Sequence, residues 1–224
     1  MSIQANLAAV EARIVEACHR GGRPRDSVQL VVVSKTVPIE RIRQAVAAGA
    51  RLLGESRIQE ARGKIETMGR PVPWHLIGHL QRNKARDAVR LFDVIHSVDS
   101  ERLVGELERR AAEAEVTLAI LLQVNVSGES AKFGCSPQAV EPLALAADKA
   151  PHLTLRGLMT IPPWNPSAEA ARPHYRRLRR LRDELTAAHS ELDLGHLSMG
   201  MTHDFEVAIE EGATLVRIGT ALFT

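Results

Sequence analysis

The chain has 224 residues, of which 45% are hydrophobic, and its 29 Lys and Arg residues nearly balance its 27 Asp and Glu residues. This length supports one well-packed core and lies only slightly above the usual size of a single domain, so we expect one domain over residues 1–224. The formal net charge of +2 gives no long-range field that would favour nucleic acid or a membrane as the partner. We therefore expect a small-molecule ligand.

Targeting and metal signals are weak. No apolar run approaches the length of a membrane span, and the N-terminal segment MSIQANLAAVEARIVEACHR is amphipathic and carries acids, unlike a signal peptide. We expect a cytoplasmic protein. Cys18 and Cys135 are too far apart for a C-x-x-C pair, which excludes a disulfide framework and a thiolate metal site. The spacing of His75 and His79 falls across a glycine and a turn, so we expect no metal.

The predicted elements alternate along the chain. After an N-terminal helix, short runs of β-branched and aliphatic residues alternate with segments of helical periodicity, which is typical of βα units around a parallel sheet. The candidate strands are VQLVVVSK (28–35), ARLLGE (50–55), PWHLIG (73–78), DVIHSV (93–98), TLAILLQVNV (117–126), LTLRGLMTI (153–161), GHLSMG (195–200) and TLVRIG (214–219). Eight such strands predict an α/β fold, a single-domain (β/α)8 barrel with an extra N-terminal helix. An open doubly wound sheet has similar local signals, but the strand count favours the barrel.

The helices between these strands have their own start and stop signals. Pro38 begins one helix and Gly49 ends it. Ser100 is a candidate N-cap, and Ser136 with Pro137 begins a further helix. The longest helix is predicted over 167–189.

Lys35 directly follows the first apolar strand. Reactive groups of a βα barrel gather at the C-terminal ends of the strands, so this amine is a candidate nucleophile at the barrel mouth. Desolvation at the rim of a dry interior would populate the free amine that attacks an aldehyde. The alternative is an ordinary strand-end lysine that points into water, which is the commoner situation for a single lysine.

The last two βα units carry residues suited to binding phosphate. Barrels often bind phosphate with the loops after strands 7 and 8, where glycine lets backbone N–H groups approach the oxygens and hydroxyls add donors. The candidates are Ser198, Gly200, Thr202, Gly219 and Thr220. In the alternative interpretation, Thr202 only caps a helix that begins near His203, and the glycines are turn residues.

Three further residues are expected in or near the same space. Arg217 lies two positions before Gly219 on the same face of the strand; it could neutralise a phosphate, donate to a ring nitrogen, or form an interior ion pair with a residue such as Glu55. Ser56 and His75 follow or end strands 2 and 3 and are candidates to line the mouth. For His75 the alternative is an interior histidine with satisfied hydrogen bonds.

Several ordered motifs carry a family resemblance. The segments V-V-S-K-T, G-E-x-R-x-Q-E, W-H-x-I-G-x-L-Q-x-N-K, R-G-L-M, S-M-G-M-x-x-D and V-R-I-G-T-A-x-F resemble those of the pyridoxal phosphate homeostasis proteins. The match runs from about Val31 to Phe223, and the number and order of the motifs argue against chance similarity. Two departures are Ser56, where the family usually has Asn, and Thr224, where it usually continues with Gly.

The resemblance implies both a fold and a site. It implies a barrel like the N-terminal domain of alanine racemase, binding pyridoxal 5'-phosphate as a Schiff base on Lys35. It further implies that Arg217 faces the pyridine nitrogen, and that the phosphate is held by Ser198, Thr202, Gly219 and Thr220. Because arginine keeps its proton, a pyridine facing it would be a poor electron sink. The family is regarded as a carrier or regulator of cofactor supply with no established reaction.

Three functions follow from these observations. The first is a non-catalytic cofactor carrier, a monomer that meets apo-enzymes transiently. The second is an amino-acid racemase, which needs an acid or base on each face of its substrate; related racemases take one from a tyrosine on a separate β domain. The only tyrosine here, Tyr175, is predicted on the inward face of a helix, which disfavours this function. Nucleic-acid binding would rest on the arginines of 172–182 and is disfavoured by the 3% of aromatic residues.

Overall fold

The computed structural model describes residues 2–224. Its parallel strands form a closed barrel in which each strand pairs with the next along the chain and the eighth pairs with the first. The strands are β1 (Gln29–Val33), β2 (Leu53–Glu55), β3 (Trp74–Leu76), β4 (Val94–Val98), β5 (Leu118–Gln123), β6 (Leu153–Met159), β7 (His196–Met201) and β8 (Leu215–Ile218). The predicted barrel and the order of its strands are confirmed. Most predicted strands were too long, because apolar residues of the flanking turns continue the alternating pattern after pairing has ended.

Helices cover the outside of the barrel. They are α1 (Ile3–Arg20), α2 (Ile39–Ala47), α3 (Ile58–Met68), α4 (Ala85–Leu91), α5 (Glu101–Glu113), α6 (Val140–Asp148), α7 (Arg172–Ala188), α8 (Phe205–Glu210) and α9 (Thr220–Phe223). The extra N-terminal helix α1 packs against α8 and α9. None of the helices within residues 2–224 is long and apolar enough to span a membrane.

The punctuation of the helices is partly as predicted. Helix α2 begins after Pro38, and Gly49 ends the segment with a φ of 107°, a conformation that glycine adopts without strain. Ser100 and Ser136 do precede helical turns, but neither hydroxyl makes a capping hydrogen bond. The predicted capping role of Ser100 is therefore wrong, whereas the helix starts predicted at Ser100 and at Ser136 with Pro137 are right.

Side chains along each strand alternate between an apolar layer inside the barrel and an apolar layer between the barrel and the helices. Val31 and Val33 of β1 point into the barrel with Leu121 and Met159, whereas Val32 packs outward against the helices. Cys18 and Cys135 are free and buried. Tyr175 is fully buried on the inner face of α7, as its helical spacing predicts.

Four of the six arginines of α7 are engaged in ion pairs, namely Arg172, Arg176, Arg179 and Arg182. Glu211 directly follows α8 and is 4% exposed; it accepts hydrogen bonds from Arg172 at 3.1 Å and from Arg176 at 2.8 Å, and Arg179 Nη2 lies 3.4 Å from its carboxylate. Burial alone would raise the pKa of Glu211, but the arginine hydrogen bonds outweigh it and hold that pKa below its ordinary value. This cluster joins α7 to α8 and gives Arg172, Arg176 and Arg179 a structural role.

Candidate functional site

A cavity of about 570 Å³ opens at the C-terminal ends of the strands, within the usual range for small-molecule sites. Its wall brings together six of the predicted site residues, which are Lys35, Ser56, Thr202, Arg217, Gly219 and Thr220. Cationic side chains in the wall are Lys35, Arg41 and Arg217, and no Asp or Glu belongs to it among the residues that the structure describes. The remaining wall is mainly apolar, with Val33, Val37, Ile77, Ile161, Trp164, Met201 and Phe223. The cavity therefore suits an anion attached to an apolar ring.

Lys35 stands on a sharp turn at the mouth of this cavity. β1 ends at Val33, and the chain turns at Thr36, whose φ of 60° lies in the left-handed region. The Thr36 N–H donates to Glu60 Oε1 at 2.5 Å, which fastens the turn to α3. The Lys35 side chain is exposed. The expectation of a desolvated amine is therefore wrong, and the alternative of a strand-end lysine exposed to water is the one observed.

A buried ion cluster supports the lysine turn from below. Lys64 of α3 is 6% exposed, and its Nζ lies 2.5 Å from Glu55 Oε1, 2.6 Å from Glu60 Oε1 and 2.6 Å from the Ser34 carbonyl oxygen. Burial by itself raises the pKa of Glu60. The hydrogen bonds from Lys64 and from the Thr36 N–H outweigh burial and hold that pKa below its ordinary value. Sequence analysis did not single out Lys64; its i, i+4 spacing from Glu60 on one helix was the available signal.

Arg217 reaches the cavity from inside the barrel. It is 3% exposed, and its guanidinium donates through Nη1 to Ser198 Oγ at 2.6 Å and through Nη2 to the Thr160 carbonyl oxygen at 2.9 Å. The alternative of an ion pair with Glu55 is wrong, because that carboxylate is paired with Lys64. The cation is thus held at the floor of the cavity without a carboxylate partner among residues 2–224.

Ser198 and His75 do not reach the cavity. Ser198 is fully buried, and its hydroxyl contacts Arg217 and His96 Nδ1, the latter at 2.8 Å. His75 is 5% exposed, with its Nδ1 2.9 Å from His96 Nε2. The geometry therefore corrects the placement of both residues: β3 and β7 direct them across the barrel interior. His96 was missed; a histidine in the alternating strand D-V-I-H-S-V was the signal that could have found it.

The residues predicted at the ends of β7 and β8 differ from expectation in detail. Gly200 has a φ of 93°, and a Cβ there would lie 2.6 Å from Ala208 Cβ, so this glycine allows β7 to pack against α8 and does not line the cavity. Helix α8 begins at Phe205, after Asp204, so Thr202 does not cap it and remains in the cavity wall. Gly219 and Thr220 are placed as predicted.

Trp164 and Arg41 are among the cavity residues that sequence analysis did not predict. Trp164 is 80% exposed and lies in the segment P-P-W-N-P after β6, held by a hydrogen bond of 2.9 Å between His203 Nε2 and the Pro166 carbonyl oxygen. Arg41 of α2 donates to the Phe223 carbonyl oxygen at 2.5 Å and so ties α9 to the cavity rim. An exposed tryptophan between prolines after a strand was a usable signal. In residues 2–224, no group of His, Cys, Asp and Glu is placed to hold a metal ion.

The buried histidines predict acid sensitivity. Burial lowers the pKa of His75 from 6.5 to about 4, and burial with the neighbouring His75 and Arg217 lowers that of His96 well below its ordinary value. Between pH 6.5 and 4 the unfolded chain binds protons that the folded protein does not, so stability is lost as the pH falls through this window. Lowering the pH from 7 to 5 is expected to remove about 2 kcal/mol of unfolding free energy through His75 alone, measured by denaturant titration at each pH.

A matched pair of variants isolates this effect. His75→Gln should reduce the loss of unfolding free energy between pH 7 and 5 by about 2 kcal/mol and leave the contribution of His96, whereas His19→Gln, at an exposed position of α1, should leave the pH dependence unchanged. Above pH 5 ordinary carboxylates contribute little to the slope. An unaltered slope in His75→Gln would contradict the assignment of a depressed pKa to this histidine.

Comparison with known proteins places the chain in a family. Residues 5–224 match the family model for the N-terminal domain of alanine racemase. The pyridoxal phosphate homeostasis proteins of Aquifex aeolicus and Pseudomonas aeruginosa are 44% and 47% identical to the chain, over 97% and 99% of it and 95% of each relative.

Solved structures agree with this placement. PipY of Synechococcus elongatus PCC7942, solved with PLP bound, has a TM-score of 0.87 and 37% identity over 100% of both chains. Alanine racemase of Clostridium difficile 630 is 14% identical with a TM-score of 0.78, over 99% of this chain and 56% of that one, which shows a shared fold alone. The chain belongs to the pyridoxal phosphate homeostasis protein family, whose barrel is that of the alanine racemase N-terminal domain.

Proposed function

We propose that residues 1–224 form one domain that binds pyridoxal 5'-phosphate as a Schiff base on Lys35 and serves in the homeostasis or supply of this cofactor. The observation that carries the proposal is the cavity at the barrel mouth, where a lysine amine, a buried guanidinium and threonine hydroxyls face one space that lacks Asp and Glu side chains. The names of the relatives and the PLP-bound structure of PipY support it.

The cavity wall fits the three parts of the cofactor. Thr202, Gly219 and Thr220 supply hydroxyl and backbone donors for the phosphate at the ends of β7 and β8, where barrels commonly bind phosphate. Lys35 would supply the amine for the aldehyde, and Arg217 would face the pyridine nitrogen. The apolar side chains of the wall would contact the ring. Bound cofactor supplies an aldehyde and an electron-withdrawing ring; the protein binds, orients and releases it.

Two observations favour a carrier over a racemase. Arg217 stays protonated and so would keep a facing pyridine nitrogen unprotonated, which weakens the ring as an electron sink. Tyr175 is fully buried and lies outside the cavity wall, so it is not available as the second acid or base of a racemase. Burial raises the pKa of Tyr175, which makes its phenolate still less accessible.

The open mouth supports exchange with acceptors. Lys35 and Thr220 are both exposed at the cavity rim, so an acceptor amine could approach the bound cofactor from solvent. We propose that the protein acts as a monomer and gives the cofactor transiently to cytoplasmic apo-enzymes. Transfer from loaded protein to an apo-enzyme within minutes is expected; retention over hours would overturn the supply role.

The Schiff base is tested by trapping. Addition of pyridoxal 5'-phosphate should produce a visible absorption band, and borohydride reduction followed by peptide mass mapping should place the adduct on Lys35. Adducts spread over surface lysines, or the absence of a band, would overturn the proposed site.

Tryptophan fluorescence provides a second measurement. Trp164 lies in the cavity wall, whereas Trp74 is fully buried in β3 outside it. Bound cofactor is expected to quench a large part of the Trp164 emission and little of the Trp74 emission. Trp164→Phe should therefore lose most of the quenching, and equal quenching in that variant would place the ligand elsewhere.

A further inference from the structure

A row of polar side chains crosses the barrel interior beneath the cavity. His75, His96, Ser198 and Arg217 come from β3, β4, β7 and β8, and each is at most 5% exposed. We call these four residues the interior hydrogen-bond chain. Successive polar atoms lie 2.9 Å, 2.8 Å and 2.6 Å apart, from His75 Nδ1 to His96 Nε2, from His96 Nδ1 to Ser198 Oγ, and from Ser198 Oγ to Arg217 Nη1.

Arg217 determines which atom donates in every hydrogen bond of the interior hydrogen-bond chain. A guanidinium only donates, so Ser198 Oγ accepts from Nη1 and has to place its own proton elsewhere. The acceptor within reach is His96 Nδ1, which must then be unprotonated. His96 therefore carries its proton on Nε2 and donates it to His75 Nδ1, and His75 carries its own proton on Nε2.

Neutral imidazoles are required for this arrangement. A protonated His96 would donate from both nitrogens and leave the Ser198 proton without an acceptor. It would also add a second buried cation to Arg217 within the barrel. Burial lowers the pKa of both histidines, which is consistent with neutral rings at pH 7.

We infer that His96 is a positioning residue: acting through Ser198, it fixes the guanidinium of Arg217 in one orientation at the cavity floor. The other anchor of that guanidinium is the Thr160 carbonyl oxygen at 2.9 Å. Without an acceptor at His96 Nδ1, the Ser198 hydroxyl turns to a new partner, and Arg217 keeps only the anchor at Thr160. This inference rests on the proposed function for its effect on the cofactor, but the tautomers do not depend on it.

The first test uses unmodified protein without added cofactor. Long-range ¹H–¹⁵N NMR spectra of the imidazoles at pH 7 should show His75 and His96 neutral, each with its proton on Nε2. A proton on His96 Nδ1, or a charged His96 ring, would overturn the inference whatever ligand the cavity binds.

The second test uses variants that keep or remove the acceptor. His96→Leu removes it, whereas His96→Asn retains an oxygen near the position of Nδ1. His96→Leu is expected to weaken pyridoxal 5'-phosphate binding about tenfold, the effect of one charge-assisted hydrogen bond, and to shift the visible band. His96→Asn should restore most of the cofactor affinity and most of the native band position. The affinity for inorganic phosphate should not change in either variant. Equal loss in His96→Leu and His96→Asn would overturn the role.

A double-mutant cycle separates positioning from general damage to the core. Because His96 acts through Ser198, His96→Leu should add little to the loss that Ser198→Ala causes alone. Additive losses would overturn the coupling. The matched control is His196→Leu. His196 is a partly buried histidine of β7 that lies outside the interior hydrogen-bond chain, so this variant should leave the visible band unchanged. If the native protein forms no band, the proposed function fails, while the NMR result still decides the tautomers.

Discussion

Lys35→Ala is expected to abolish the reducible visible band that native protein forms with pyridoxal 5'-phosphate. The reason is its position, because Lys35 is the only lysine in the cavity wall among the residues that the structure describes. Lys64 is the buried lysine of the ion cluster below the Lys35 turn, and its Nζ is held by Glu55, Glu60 and the Ser34 carbonyl oxygen. An amine so occupied is not available to attack an aldehyde.

Two further variants sharpen this result. Lys35→Arg keeps a cation at the mouth but cannot form the Schiff base, so it should lose the band while retaining the affinity for inorganic phosphate. Lys149→Ala, at an exposed position after α6, should retain the native band. Absorption and borohydride trapping on all four proteins measure the outcome. A band of native intensity in Lys35→Ala would rule out the proposed covalent site.

Lys64→Met is expected to destabilise the protein by about 3–5 kcal/mol, because it leaves buried carboxylate uncompensated. Glu55 is fully buried and Glu60 is partly buried, and both accept from Lys64 Nζ within 2.6 Å. For a chain of this size the loss corresponds to a fall in Tm of roughly 10 °C. Thermal and denaturant unfolding measure it directly.

The cause is separated from the loss of packing by a second variant. In Lys64→Met/Glu55→Gln the buried negative charge is removed together with its partner, so this double variant should be more stable than Lys64→Met alone. Lys149→Met should change the unfolding free energy by less than about 0.5 kcal/mol, as surface substitutions usually do. A loss below about 1 kcal/mol in Lys64→Met would mean that the cluster is hydrated rather than buried.

The network around Lys35 shows the limit of sequence analysis most clearly. The position of Lys35 after an apolar strand, and its motif, identified it as the candidate nucleophile. Its exposure matches the alternative of a strand-end lysine that points into water, whereas the turn that carries it, with the left-handed Thr36 bonded through its N–H to Glu60, was not foreseen. That bond joins segments 24 residues apart, and the local pattern of neither segment reports it.

The residues predicted for the phosphate site fall into two groups, those in loops that follow strands and those within a strand. Thr202, Gly219 and Thr220 lie in the cavity wall because they follow strands directly, and barrel topology alone brings such loops to one mouth. Ser198 and Gly200 lie within β7, where side-chain direction decides the role. The fully buried Ser198 points into the barrel, and the missing Cβ of Gly200 leaves room for α8.

By itself, the sequence determined the barrel, the order of its strands and the residues that follow them. These features depend on local alternation of apolar and polar residues and on turn chemistry, which act over a few positions. Only the tertiary structure decided that His96 meets Ser198, 102 residues away, and that Glu55 pairs with Lys64 and not with Arg217. Hydrogen bonds across a barrel join strands distant along the chain, and which buried donor finds which acceptor is fixed when the barrel closes.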